Sequence, residues 1–90
     1  MTKIPPQIRK MANNRDLQVS VRIGRNGVTD SLVEEIESQL AKSELVKVKA
    51  NRGVVEGSSE RENLFDQIAL LSNSILVTLR GNVAVFWRSK

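Results

Sequence analysis

The residues best placed to do chemistry are Gly24-Arg25-Asn26-Gly27. They lie between an alternating apolar run and a helical pattern, so they read as a strand–loop–helix junction. Two glycines three apart permit a tight turn. Having no Cβ, they let a phosphate come close to the backbone. The helix that follows offers free N–H groups and the positive end of its dipole. Arg25 supplies a cation and Asn26 an amide, and Arg22 adds a second cation from the strand's polar face. This is how a GxxG loop clamps nucleic-acid backbone. A plain turn has the same spacing and, on spacing alone, is the commoner meaning. The third glycine of a dinucleotide loop and the Gly-Lys-Ser/Thr of a nucleoside-triphosphate loop are missing, so those readings are poor.

Composition narrows the chemistry further. The chain has no His and no Cys. A Ser-His-Asp or Cys-His nucleophile cannot be built, nor a zinc site on Cys or His ligands, nor a disulfide. Glu34, Glu35 and Glu37 share a helix without a partner carboxylate from another element, so they read as a solvated face. Lys42 is a helix-end cation. The expectation is a binding protein with no catalytic residue, no metal, no cofactor and no small-molecule substrate. No apolar run approaches the ~18 residues of a membrane span, and the polar, Pro-containing start is unlike a signal peptide. A cytoplasmic monomer without membrane contact is therefore expected.

Ninety residues suit one domain, taken as residues 1–90, with one small core. The net charge of +4 is mild, but its order is not random. From Met1 to Gly27 six basic residues stand against one acid, whereas Val28 to Glu44 carries five acids against Lys42. Lys47, Lys49 and Arg52 then restore positive charge, Glu56 to Asp66 is acidic again, and Arg80, Arg88 and Lys90 close the chain. Such blocks can segregate charge into a basic face, or serve solubility alone.

The elements that must position the loop follow from periodicity. Pro5 and Pro6 fit a first helical turn, with Ile8, Met11 and Ala12 on one face and Arg9 and Lys10 turned away. Asn13-Asn14 would end this helix in a left-handed cap. Leu17, Val19, Val21 and Ile23 alternate with Gln18, Ser20 and Arg22 as a strand with one polar face. Thr29 is a fair N-cap for a helix buried through Leu32, Val33, Ile36 and Leu40. Val46, Val48 and Ala50 alternate with Lys47 and Lys49 as a second strand. Asn51 to Ser59 reads as a loop, with Ser58 or Ser59 capping a third helix that buries Leu64, Phe65, Ile68 and Leu71. Ser74 to Leu79 and Val83 to Trp87 form a hairpin around Arg80-Gly81-Asn82. The order is α-β-α-β-α-β-β, an α/β chain whose helical crossovers imply parallel pairing and whose hairpin adds an antiparallel strand. Three aromatics, Phe65, Phe86 and Trp87, are too few for an exposed stacking platform and are expected in the core.

Several segments together resemble a known family. Ile23-Gly24-Arg25-Asn26-Gly27-Val28-Thr29, Glu35-Ile36, Glu44-Leu45-Val46-Lys47-Val48-Lys49, Leu79-Arg80-Gly81 and Val85-Phe86-Trp87-Arg88 resemble the YhbY-like, or CRM, domain (chloroplast RNA splicing and ribosome maturation). The match runs from about Gln7 to Arg88. Differences from the family are Arg25 for the usual Lys, Phe86-Trp87 for Leu-Tyr, Asn82 for a Lys, and a less basic Asn13 to Gln18. The resemblance implies a four-stranded mixed sheet with packed helices, similar to the C-terminal domain of translation initiation factor 3. It also implies RNA binding, with ribosomal RNA of large-subunit precursors as partner and ribosome assembly as the process. By position it points to Gly24, Arg25, Asn26 and Gly27, with Arg9 and Lys10 as neighbours. Arg22 joins them from the residue reading, and Lys47, Lys49 and Arg88 are possible secondary RNA contacts. Two other classes stay open: a duplex-DNA or chromatin-type binder, and a protein-docking module using the acidic helix Thr29 to Lys42.

Overall fold

The strand around which the others assemble is β2 (Leu45–Ala50), where Val46, Val48 and Ala50 alternate with the two lysines. The computed structural model describes residues 4–51, 53 and 57–88. Residues 52 and 54–56 of the expected 51–59 loop, and the cations Lys3 and Lys90, lie outside the described residues. On one side β2 pairs in parallel with β1 (Val19–Ile23), reached through helix α2 (Asp30–Lys42). On the other it pairs antiparallel with β4 (Val83–Trp87). Helix α3 (Ser58–Leu71) leads to the edge strand β3 (Ile75–Arg80), and β4 returns between β3 and β2. The order across the sheet is β1-β2-β4-β3. The chain is a small α/β domain with three helices and a four-stranded mixed sheet, in the element order read from the sequence. The hairpin strand, rather than a third parallel strand, is the second neighbour of β2.

Both sheet faces are covered, unequally. Val21, Ile23, Val46, Val48, Ala84 and Phe86 meet α2 and α3 through Leu32, Ile36, Leu40, Phe65 and Ile68. Removing a ring from this layer, as in Phe65→Ala, costs about 3–5 kcal/mol of transfer and cavity energy. The opposite face holds the short helix α1 (Pro6–Ala12), packed through Ile8 and Ala12 on Leu45, Val77, Val85 and Trp87. Adjacent residues of β4 therefore serve opposite layers. Phe86 fills one core and Trp87 the other, as expected for an apolar run on a strand buried on both faces.

Four local expectations are corrected. Leu17, Val19, Val21 and Ile23 do not share a face. The register slips between Val19, which pairs with Lys47, and Val21, which pairs with Val48. This bulge turns Leu17 toward α1 while Val21 and Ile23 stay under α2. Asn13 ends α1 in a right-handed conformation, and its side-chain amide donates to the Arg9 carbonyl at 2.9 Å. Helix α3 starts at Ser58, so Gly57 rather than a serine takes the capping position. Met11 is 50% and Leu71 48% exposed, because Ile4, Ile8 and Ala12 form the buried stripe of the first helical segment and Ser72 takes the buried place after α3.

The end of α3 shows how that place is filled. Asn73, at φ +53°, is left-handed, and the Ser74 and Asn73 amides donate to the Ala69 and Leu70 carbonyls. This is a Schellman motif with Asn in the glycine position. The buried Ser72 hydroxyl donates to the Ile68 carbonyl at 2.7 Å and is shared with the Ser74 hydroxyl.

Candidate nucleic-acid interface

The Gly24–Gly27 loop leaves the sheet where β1 ends. The Ile23 carbonyl still accepts from the Asn51 amide at 2.9 Å, and the next residues turn away. The turn is closed by the Gly27 amide donating to the Gly24 carbonyl at 3.0 Å. Gly27 has φ +65°, a conformation that costs a residue with a Cβ roughly 1–2 kcal/mol. Gly24 is different. Its φ is not positive, and a Cβ added there would have no neighbour within 4 Å. The fold itself does not demand a glycine at 24. What glycine provides there is an open approach to the backbone from outside.

Arg25 and Asn26, at the tip, are exposed. Thr29 then caps α2, its hydroxyl oxygen accepting from the Leu32 amide at 3.1 Å. The amides of Asp30 and Ser31 precede the first helical hydrogen bond, from Val33 to the Thr29 carbonyl. Loop, cap and first turn share a cleft of about 300 Å³ that Arg22 also lines, and Glu35 stands one turn further along. The arrangement offers the Arg25 guanidinium, the Asn26 amide and helix-start N–H groups at one mouth, with Arg22 at its edge. That set of donors suits an anion whose charge is spread over several oxygens.

The other expected residues fall in three places. Arg9 and Lys10 are exposed on α1, on the opposite sheet face, and do not line the loop cleft. Lys47 and Lys49 project from β2 onto that same opposite face, into a groove of about 360 Å³ beside the C-terminal end of α1. The Lys47 ammonium donates to the Leu17 carbonyl at 3.1 Å, a contact the β1 bulge makes possible. Arg22 and Lys49 are register partners across β1 and β2, so the loop cleft and the groove meet at this pair.

Arg88 follows Trp87, which pairs with Leu45 at the far end of β2, roughly 17 Å along the strand from the loop end. Its guanidinium donates to the Ser72 carbonyl and, at 3.3 Å, to the Asn73 carbonyl, and it lies 3.8 Å from Glu37 of α2. A cation on the last carbonyls of α3 complements the helix dipole. Arg88 thus ties α3, α2 and β4 together.

Two cations were not singled out from the sequence. Arg80 ends β3 opposite Val83, and Arg15 sits in the turn after α1; both line the groove with Lys47 and Lys49. Their convergence depends on β4 lying between β2 and β3, a non-local pairing. The only local signal is that each sits at the end of an element.

A CRS1/YhbY (CRM) domain model matches residues 6–88, which takes in every element from α1 to β4. The chain belongs to this family. The resemblance drawn from the GRNG loop and the closing strand therefore holds. A solved structure similar to this CRM domain is the solution structure of a hypothetical protein from Staphylococcus aureus, described there as a candidate RNA-binding protein. The two agree with a TM-score of 0.75 at 24% sequence identity, over 93% of this chain and 82% of that one. At that identity the likeness speaks for the fold. No curated protein sequence matches the chain.

Proposed function

We propose that this CRM domain is a non-catalytic RNA-binding module, acting on ribosomal RNA in large-subunit precursors during ribosome assembly in the cytoplasm, as a monomer. The observation that carries the reading is the cleft shared by the GRNG loop, Arg22 and the capped start of α2. Family membership and the description of the Staphylococcus aureus neighbour support the choice of RNA. Arg25 and Arg22 neutralise phosphates, the first-turn amides of α2 donate to phosphate oxygens, and open Gly24 lets the RNA backbone lie close. Contacts of this kind give affinity and orientation, and little sequence discrimination. A particle in which RNA is already folded then supplies the address.

The test is gradient fractionation of native lysate at low and raised salt, with ultraviolet crosslinking before fractionation. Comigration with large-subunit precursors at low salt, release by salt, and crosslinks to their ribosomal RNA are expected. Migration at the top of the gradient with no crosslinked RNA would overturn the reading. Crosslinks to other RNA alone would remove the ribosomal assignment and keep RNA binding.

A further inference from the structure

Helix α1 leaves part of its sheet face uncovered. The uncovered part is the groove beside the end of α1, and its lining is chemically sorted. Val83 and Val85, with Thr78, form an apolar floor from β4 and β3, and Lys47 stands between Val85 and Val19 on the same face. Lys49, Arg80 and Arg15 stand around it, and among the described residues no carboxylate lines it. The cations are ordered by the sheet. Arg22, Lys49, Val83 and Arg80 pair in sequence across β1, β2, β4 and β3, which sets the two arginines about 14 Å apart with Lys49 between them.

The wall carries two amides, each half used. Asn13 donates from Nδ2 to the Arg9 carbonyl, which leaves its Oδ1 as an acceptor. Asn14 accepts at Oδ1 from the Asp16 amide, which leaves its Nδ2 as a donor. A phosphate or a carboxylate needs donors only. An acceptor beside a donor, above an apolar floor and below a row of cations, matches a group with three properties: a flat apolar face, an edge of mixed donors and acceptors, and an attached anion. A nucleotide has all three. An acidic peptide has no use for the Asn13 acceptor at its carboxylates. The volume, about 360 Å³, lies at the low end for small-ligand pockets, roughly 300–1,000 Å³, and suits one nucleotide.

We propose that this groove holds one unpaired nucleotide of the RNA whose backbone the GRNG loop grips. The base lies on Val83 and Val85 with its edge on Asn13 and Asn14, and its phosphate lies on Lys49 and Arg80. Arg22 joins the groove to the loop cleft. The inference rests on the RNA-binding reading and adds to it that a paired base cannot enter, because its edge is already occupied and its faces are stacked. A duplex alone would use only the loop cleft.

The test compares three RNA hairpins by fluorescence anisotropy with the full chain: fully paired, with one bulged nucleotide, and with the same bulge made abasic. The bulged hairpin is expected to bind about tenfold more tightly than the abasic one, the scale of a good base-edge contact. Val83→Phe, which fills the floor with a residue that strands accept, should remove that difference. In nuclear magnetic resonance, the methyl signals of Val83 and Val85 should shift with the bulged hairpin and not with the paired one. Tight and equal binding of bulged and abasic hairpins by the unmodified chain would overturn the nucleotide groove and leave RNA binding standing. No binding of any hairpin would overturn the RNA-binding reading as well. If an acidic peptide shifts the same methyls and no hairpin does, the groove is a protein site and the proposal is wrong.

Discussion

Arg22 of β1 and Lys49 of β2 stand opposite each other in parallel register, one residue before each strand ends in the buried pair Ile23 and Ala50. Buried partners on either side of them, Val21 with Val48 and Ile23 with Ala50, force both cations onto the other sheet face. Two like charges so placed repel each other modestly and lower the stability of an isolated strand pair. An anion laid across them reverses that sign. The register therefore joins the GRNG cleft to the groove under α1, and one strand of RNA can follow the path.

The two glycines of the loop should respond differently to alanine. Gly27→Ala forces a Cβ into φ +65° and should destabilise the fold by about 1–2 kcal/mol, a fall of several degrees in Tm for a domain this small. Gly24→Ala meets no atom within 4 Å and should leave Tm unchanged while weakening RNA binding. Thermal unfolding and anisotropy on the same two variants separate the roles. A loss of stability in Gly24→Ala with unchanged binding would show that the glycine serves the turn alone.

Arg88 should behave as a structural residue. Its hydrogen bonds to the Ser72 and Asn73 carbonyls are charge-assisted, and Arg88→Ala should cost about 1.5–3 kcal/mol in chemical denaturation. Glu37→Ala should cost much less, at most ~0.5 kcal/mol, because the pair is 3.8 Å apart with side chains 29% and 43% exposed. Neither change should alter the salt dependence of RNA binding. A flattened dependence in Arg88→Ala would place that residue on RNA.

Thr29 links the loop to α2. Thr29→Ala removes the acceptor for the Leu32 amide and should cost about 1 kcal/mol. The frayed first turn also loosens the cleft, so affinity should fall without a change in the number of phosphates contacted. The checks are denaturant unfolding for the first effect and a parallel, displaced salt plot for the second.

Features encoded within a few residues were legible in the sequence. The GRNG turn, the Thr29 cap, the acidic start of α2, the alternation of β2 and the Gly81-Asn82 turn are all local. The features that escaped depend on contacts far along the chain. Nothing in Leu17 to Ile23 marks the bulge, because its cause is the need to put Leu17 over one core and Val21 and Ile23 over the other. Leu71 fits the helical face of α3 by spacing, but the Schellman turn at Asn73 carries the chain to β3 and gives Ser72 the buried place. The loop half of the site was readable for the same local reason. Of the groove half only Lys47 and Lys49, on one alternating strand, were readable, since Arg15 and Arg80 join them through the insertion of β4.

The most direct test of RNA binding through the loop cleft is the salt dependence of affinity, measured by anisotropy for the unmodified chain and for an Arg22→Ala, Arg25→Ala double variant. Each phosphate contact contributes about 0.7–0.9 to the slope of log K against log salt. The double variant should bind every RNA more weakly, with a slope shallower by about 1.5–2. Equal slopes for the two proteins would contradict the account, because the arginines beside Gly24 would then be touching no phosphate.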